Sequence, residues 1–158
     1  MELKPYLFPY KAKFAGLACL LLAFPFAYLY FWGGRPEFFN TKVFALISVY
    51  LETRYMVVAQ TNILDELAAV LLISGIALIS FSREKTEKEY YNQLRINALI
   101  KSLFLTLLIW ILSFLLIYGM AIILISSMML IIYLICYNLL FRLYLIREWK
   151  LQEEFLND

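Results

Sequence analysis

Three acids, Glu52, Asp65 and Glu66, and the mixed run Arg83, Glu84, Lys85, Glu87, Lys88 and Glu89 are the side chains whose types and spacing could do chemistry. Acids gathered at a membrane interface can hold a divalent cation against a phosphate, and a ring of acids can concentrate cations at a pore mouth. The pattern here is thin for either task. No glycine motif accompanies the adjacent acids, and the basic residues of the second run alternate with acids instead of forming a patch. The sequence holds no histidine, which removes the imidazole base, the His-containing triad and His-ligated zinc or haem. Two cysteines, Cys19 and Cys136, are too few for a four-thiolate centre, and in apolar runs they read as packing residues. No cofactor is expected.

The elements that must position these residues follow from composition. Apolar and aromatic residues make up 64% of the 158 and charged ones 16%, whereas soluble domains run at about 45–50% and about 25%. The expected class is therefore an all-α integral membrane protein, a single membrane domain over residues 1–158. A crossing helix needs about 20 mostly apolar residues, and such runs lie at residues 14–32, 98–118 and 120–141. A fourth, residues 63–82, carries Asp65 and Glu66 in its first turn. It spans only if those acids sit at the water interface.

Residues 43–58 are apolar too, but Glu52 and Arg54 interrupt them, and a charge at the bilayer centre costs about 2.5–3.5 kcal/mol. With four spans, eleven basic residues fall on one side and three (Arg35, Lys42, Arg54) on the other. The excess marks the cytoplasmic side, so both termini are expected in the cytoplasm. A fifth span would move the central basic cluster outside. Residues 38–60 are accordingly expected to form an extracytoplasmic interfacial segment, as a helix lying on or dipping into the membrane surface. Lys11 and Lys13 precede the first run as in a secretory signal, but no small-residue cleavage site follows, so that run is expected to stay as a helix kinked near Pro25.

The polar residues beside the spans have local roles to fill. Asn62 is placed to cap the second span, whose first-turn acids Asp65 and Glu66 suit a helix N-terminus; the functional alternative makes these acids, with Glu52, an outer mouth for cations. Thr86 to Glu89 fits a capping box, which would start the third helix about three turns before the membrane. Glu84 and Lys88 could pair across one turn. Tyr90, Leu94 and Ala98 form an apolar stripe on the cytoplasmic stalk (residues 82–97). It packs either on the helical tail (residues 142–158), where Leu151 and Phe155 share its spacing, or on another protein. Tyr118, Gly119 and Met120 leave room only for a tight turn between the last two spans. Thr106, Ser113, Ser126, Ser127 and Asn138 are available for bonds between helices, and no small-xxx-small pair of glycines occurs.

Residues 62–68 (NILDELA), followed by Phe81-Ser82-Arg83-Glu84-Lys85 and then Glu87 and Glu89, resemble a family of short membrane proteins widespread in Bacteroidota, over about residues 35–145. An acid is common in that family where Lys88 stands here. The resemblance implies four helices in a bacterial inner membrane and brings no activity with it.

The expected function is a non-enzymatic inner-membrane subunit that contacts the lipid bilayer and forms a homo-oligomer or a membrane complex. Arg83, Glu84, Lys85, Glu87, Glu89, Tyr90, Leu94 and Phe155 are its candidate interaction residues. The alternative is a homo-oligomeric channel or membrane-permeabilising effector, with Glu52, Asn62, Asp65 and Glu66 at the outer mouth. An enzyme acting on lipid ranks third, because three acids on the side without nucleotide supply are a poor metal site. Nucleic acid is not an expected partner, since the net charge of +2 follows from topology.

Overall fold

A computed structural model describes the backbone over residues 6–49 and 53–157, and side chains over 6–46, 55–119 and 121–152. Glu52, and the side chain of Phe155, lie outside the described residues. The elements are α1 (Ala12–Phe31), a 3-10 turn (Glu37–Phe39), β1 (Asn40–Val49), β2 (Thr53–Asn62), α2 (Leu64–Ser80), α3 (Tyr91–Leu116) and α4 (Met120–Asn157). The chain divides into two compact units, Ala15–Gly75 and Met1–Phe14 with Ile76–Asp158.

Three helical stretches, Ala12–Phe31, Tyr91–Leu116 and Ala121–Gln152, are long and apolar enough to cross a bilayer. The chain is a multi-pass membrane protein. Helix α2 has 17 residues, about 25 Å at 1.5 Å per residue. Pro25 lies inside α1 and lacks the N–H that the Leu21 carbonyl would otherwise receive.

In the Ala15–Gly75 unit, α1 leads through the 3-10 turn into an antiparallel hairpin, in the register Asn40↔Asn62, Lys42↔Gln60, Phe44↔Val58 and Ile47↔Tyr55. This corrects the expected interfacial helix, and with it the all-α class. The physical reason is β-branching: Thr41, Val43, Ile47 and Val49 on one strand, and Thr53, Val57, Val58 and Thr61 on the other, fit a pleated surface better than a helical turn. Asn62 closes the hairpin and starts α2. Its Oδ1 accepts the Leu64 N–H at 3.3 Å, and its amide donates to the Asn40 Oδ1 at 2.9 Å and the Pro36 carbonyl at 3.1 Å. Helices α1 and α2 approach closely where a Cβ built on Gly75 would lie 2.9 Å from the Gly16 carbonyl oxygen. The small residues that permit this contact stand on different helices, where a search for paired glycines in one helix does not find them.

In the other unit, α3 and α4 form a helical hairpin. The Ile117 N–H donates to the Ser113 carbonyl at 2.9 Å, and Gly119 takes a positive φ of 77° before α4 begins. The turn is as tight as the sequence suggests. Ala98, Ser102 and Thr106, four residues apart, are buried on α3, and α4 supplies the bulky buried residues Leu134, Tyr137, Phe141 and Leu145. Small residues on one helix let large ones on the other close the gap, which is how helices associate where lipid offers no hydrophobic gradient.

The polar side chains within the helices divide in two. Trp110 donates to the Ser126 hydroxyl at 3.2 Å and Asn138 to the Ser80 hydroxyl at 2.6 Å, bridging helices. Thr106, Ser113 and Ser127 bond instead to carbonyls of their own helices, contrary to the expectation of bonds between helices. A hydroxyl reaches the carbonyl three or four residues back without any partner helix.

Candidate functional site

The charged run after α2 is built into a collar at one end of the α3–α4 hairpin. The chain enters it through a parallel bridge, in which the Phe8 N–H donates to the Phe81 carbonyl at 2.9 Å and the Arg83 N–H to the Phe8 carbonyl at 3.0 Å. These bonds fix the segment before α1 against the segment after α2. They also bring Lys13 to Glu84, with an Nζ to Oε1 distance of 2.6 Å and both side chains 15% exposed. Arg142 of α4 reaches the same carboxylate at 3.7 Å. Glu84 is therefore held by two cations from distant parts of the sequence, and not by Lys88. Lys88 donates to Gln152 of the α4 tail at 3.1 Å.

Glu87 and Arg95 form the inner part of the collar. Arg95 is 2% exposed and directs both terminal nitrogens at the Glu87 carboxylate, with Nη2 to Oε2 at 3.2 Å. Its guanidinium carbon lies 5.0 Å from the centre of the Phe141 ring. A planar cation takes a bidentate carboxylate at its edge and an aromatic ring on its face at the same time, which a lysine would not do. Glu87 also accepts the Glu84 N–H at 2.8 Å. Partial burial would raise the Glu87 carboxyl, but the Arg95 hydrogen bond, the Glu84 amide and the charges of Arg95 and Arg83 outweigh it and hold it below the usual carboxylate range.

The capping box is not formed. Helix α3 begins at Tyr91 with Tyr90 as its N-cap and no side-chain cap, so Thr86 and Glu89 both precede the helix and neither stands at a box position. The stalk is non-helical up to Tyr90, and α3 starts about two turns before residue 98 instead of three. Its apolar stripe packs within the chain: Tyr90 and Leu94 lie against a core of Tyr91, Ala98, Tyr137, Phe141 and Leu145. Phe81, Tyr137 and Phe141 stack in sequence at 6.0 and 6.1 Å. Lys101 sits over the Tyr144 ring at 5.1 Å. Arg83, Lys85 and Glu89 are exposed at the rim.

Of the residues marked from the sequence, Glu84, Glu87, Tyr90 and Leu94 meet in this collar. Asn62, Asp65 and Glu66 belong to the start of α2, in the other unit. Lys13, Arg95, Tyr137, Arg142 and Gln152 were missed. Arg95 carried a signal, since Tyr91, Arg95, Ala98 and Ser102 share one helical face and the other three are small or aromatic. Two polar atoms of the collar, the Tyr90 hydroxyl and the Arg95 Nε, are buried without a hydrogen-bond partner, as is the Asp65 Oδ1 of α2.

Chemically the collar is a set of closed pairs. Each of its inner carboxylates is already matched by a cation. Among the described residues no group of three or more His, Cys, Asp or Glu side chains could hold a metal ion. What the arrangement does is tie four stretches of chain together: the entry to α1, the connection after α2, the start of α3 and the middle of α4. No protein-family model, curated protein or solved structure matches the chain.

Proposed function

We propose that the chain is a non-enzymatic subunit of a bacterial inner membrane that acts by binding copies of itself or another membrane protein. The observation that carries this reading is the β1–β2 hairpin. It exposes Phe44, Leu46, Tyr55, Met56 and Val58, each by at least 64%. Exposed apolar residues on the long helices need only lipid. A two-stranded sheet is different, because its open edges leave backbone groups unpaired, which the hydrocarbon layer does not tolerate. The hairpin therefore belongs outside the hydrocarbon, where apolar surface of this extent calls for protein cover.

The same reading uses α2 as a fourth crossing. At about 25 Å it falls short of a hydrocarbon layer of about 30 Å, a mismatch absorbed by local thinning of the bilayer. The Phe8 bridge to Phe81 and Arg83 supports it, since the chain entering α1 and the chain leaving α2 are bonded to each other. Both ends of the chain then share the basic, cytoplasmic side. This is the arrangement that the resemblance to the Bacteroidota family implies.

Crosslinking in intact membranes followed by affinity recovery tests the proposal. Discrete crosslinked species are expected, and recovery of the isolated monomer alone would overturn it. A ring-shaped channel is a second form of the same oligomer, with Asp65 and Glu66 in the first turn of α2 as its candidate mouth. Ion flux through liposomes holding the purified chain, lost in Asp65→Asn, would establish that form.

A further inference from the structure

We propose that the outer edge of β1 is the contact between two copies of this chain, paired antiparallel about a two-fold axis at Ala45. The inference rests on the oligomeric reading above and deepens it by naming the surface. Among the described residues the sheet has two strands only, so each strand presents one open edge. The two edges are not equivalent. In β2, Met56 takes a positive φ of 49°, and the register omits the pair it would form with Leu46 while keeping the same offset on either side. A left-handed residue turns its backbone groups out of line and spoils that edge for further pairing. No residue of β1 takes a positive φ. The strand contains no proline, and Lys42 is its one charge over ten residues.

The sequence of β1 fits a second copy of itself. A two-fold axis perpendicular to a sheet keeps each face on its own side, so it must pass through a residue and not between two. Ten residues leave Phe44 or Ala45 as the centre that pairs the longest stretch. Centring on Ala45 sets Phe44 opposite Leu46, Val43 opposite Ile47, and Lys42 opposite the polar position Ser48. Centring on Phe44 would set Lys42 opposite Leu46. Apolar pairs and the absence of facing like charges both favour the first. It also places the two Lys42 residues about 20 Å apart, from six residues at 3.4 Å, well beyond the screening length of about 8 Å. Copies in one bilayer share their orientation, so their two-fold axis runs along the membrane normal, and an antiparallel pair then requires the strands to lie in the membrane plane.

The test is disulfide trapping of the full chain in isolated membranes, with Cys19 and Cys136 replaced by alanine and single cysteines introduced in β1. Residues opposite each other in an antiparallel pair have Cα atoms about 4.5–5.5 Å apart, within the range of about 4.4–6.8 Å that a disulfide needs. With an oxidant, Ala45→Cys is expected to shift most of the chain from the monomer to the dimer band, while Lys42→Cys stays monomeric. Mixed copies of Phe44→Cys and Leu46→Cys are expected to crosslink to each other, which guards against a local effect of the Ala45 change. Self-crosslinking of Lys42→Cys would overturn the antiparallel register, and trapping at Ala59→Cys of β2 in place of Ala45→Cys would overturn the choice of edge. The mass of the cysteine-free chain in nanodiscs separates the two claims. An oligomer with no trapping along β1 refutes the edge and keeps the oligomer, whereas a monomer refutes both.

Discussion

The guanidinium of Arg95, buried to 2% exposure, is closed at its edge by the Glu87 carboxylate and on its face by the Phe141 ring. This contact joins a loop, the second turn of α3 and the middle of α4, so its removal should be felt by the whole α3–α4 unit. Glu87→Ala leaves a buried cation with no counter-charge. Breaking a buried pair from one side costs about 3–5 kcal/mol. The lower end is expected here, because the Glu87 side chain keeps 31% exposure and water can replace part of what is lost. Paired with Arg95→Leu in a double-mutant cycle, the coupling should be favourable and larger than that of Lys13 with Glu84. Unfolding in mixed micelles followed by circular dichroism measures both.

The same pair sets a pH dependence. The Glu87 carboxyl lies below its ordinary value in the folded chain, so the folded state binds the proton more weakly than the unfolded one. Its contribution is fully present above the unfolded value of about 4.3. It is lost as pH falls through the lower folded value. Stability should therefore hold from neutral pH down to the ordinary carboxylate range and decline below it, and Glu87→Gln should flatten that decline. Denaturation midpoints measured across the acid range check this; an unchanged profile in Glu87→Gln would assign the decline to other carboxylates.

Gly75 makes a sharp packing prediction. A Cβ there meets the Gly16 carbonyl oxygen at 2.9 Å and the Leu20 side chain at 3.0 Å. Backbone cannot swing away as a flexible side chain can, so Gly75→Ala should push α1 and α2 apart. Overpacking of this kind costs about 1–3 kcal/mol. Gly119→Ala should also destabilise, but through strain at its positive φ, since nothing lies within 4 Å of the added atom. Thermal midpoints of the two variants check both losses, and adding Leu20→Ala to Gly75→Ala should recover little, because the backbone contact at Gly16 remains.

The parts of this architecture that were legible in the sequence are those set by a single local rule. Length of apolar run located the three long crossing helices, and Gly119 between two such runs marked the tight turn. Asn62 before Asp65 and Glu66 marked the start of α2. The hairpin was hidden because residues 43–58 were judged by how apolar they are, and only their β-branching distinguishes a strand from an interfacial helix. The collar was hidden for a different reason. From the sequence Arg95 and Lys13 read only as positive charges flanking the spans, and their partners lie 8 and 71 positions away. A local box from Thr86 to Glu89 is a fair expectation from spacing, but α3 begins only at Tyr91, and the segment before it is held by the Glu87–Arg95 pair, which no local spacing shows.

The measurement that bears most directly on the central claim is the mass of the full chain extracted with its native lipid into nanodiscs, determined without detergent. The account predicts a discrete assembly, either a fixed number of copies or a stoichiometric complex with a second membrane protein. A uniform monomer with no bound protein would contradict it.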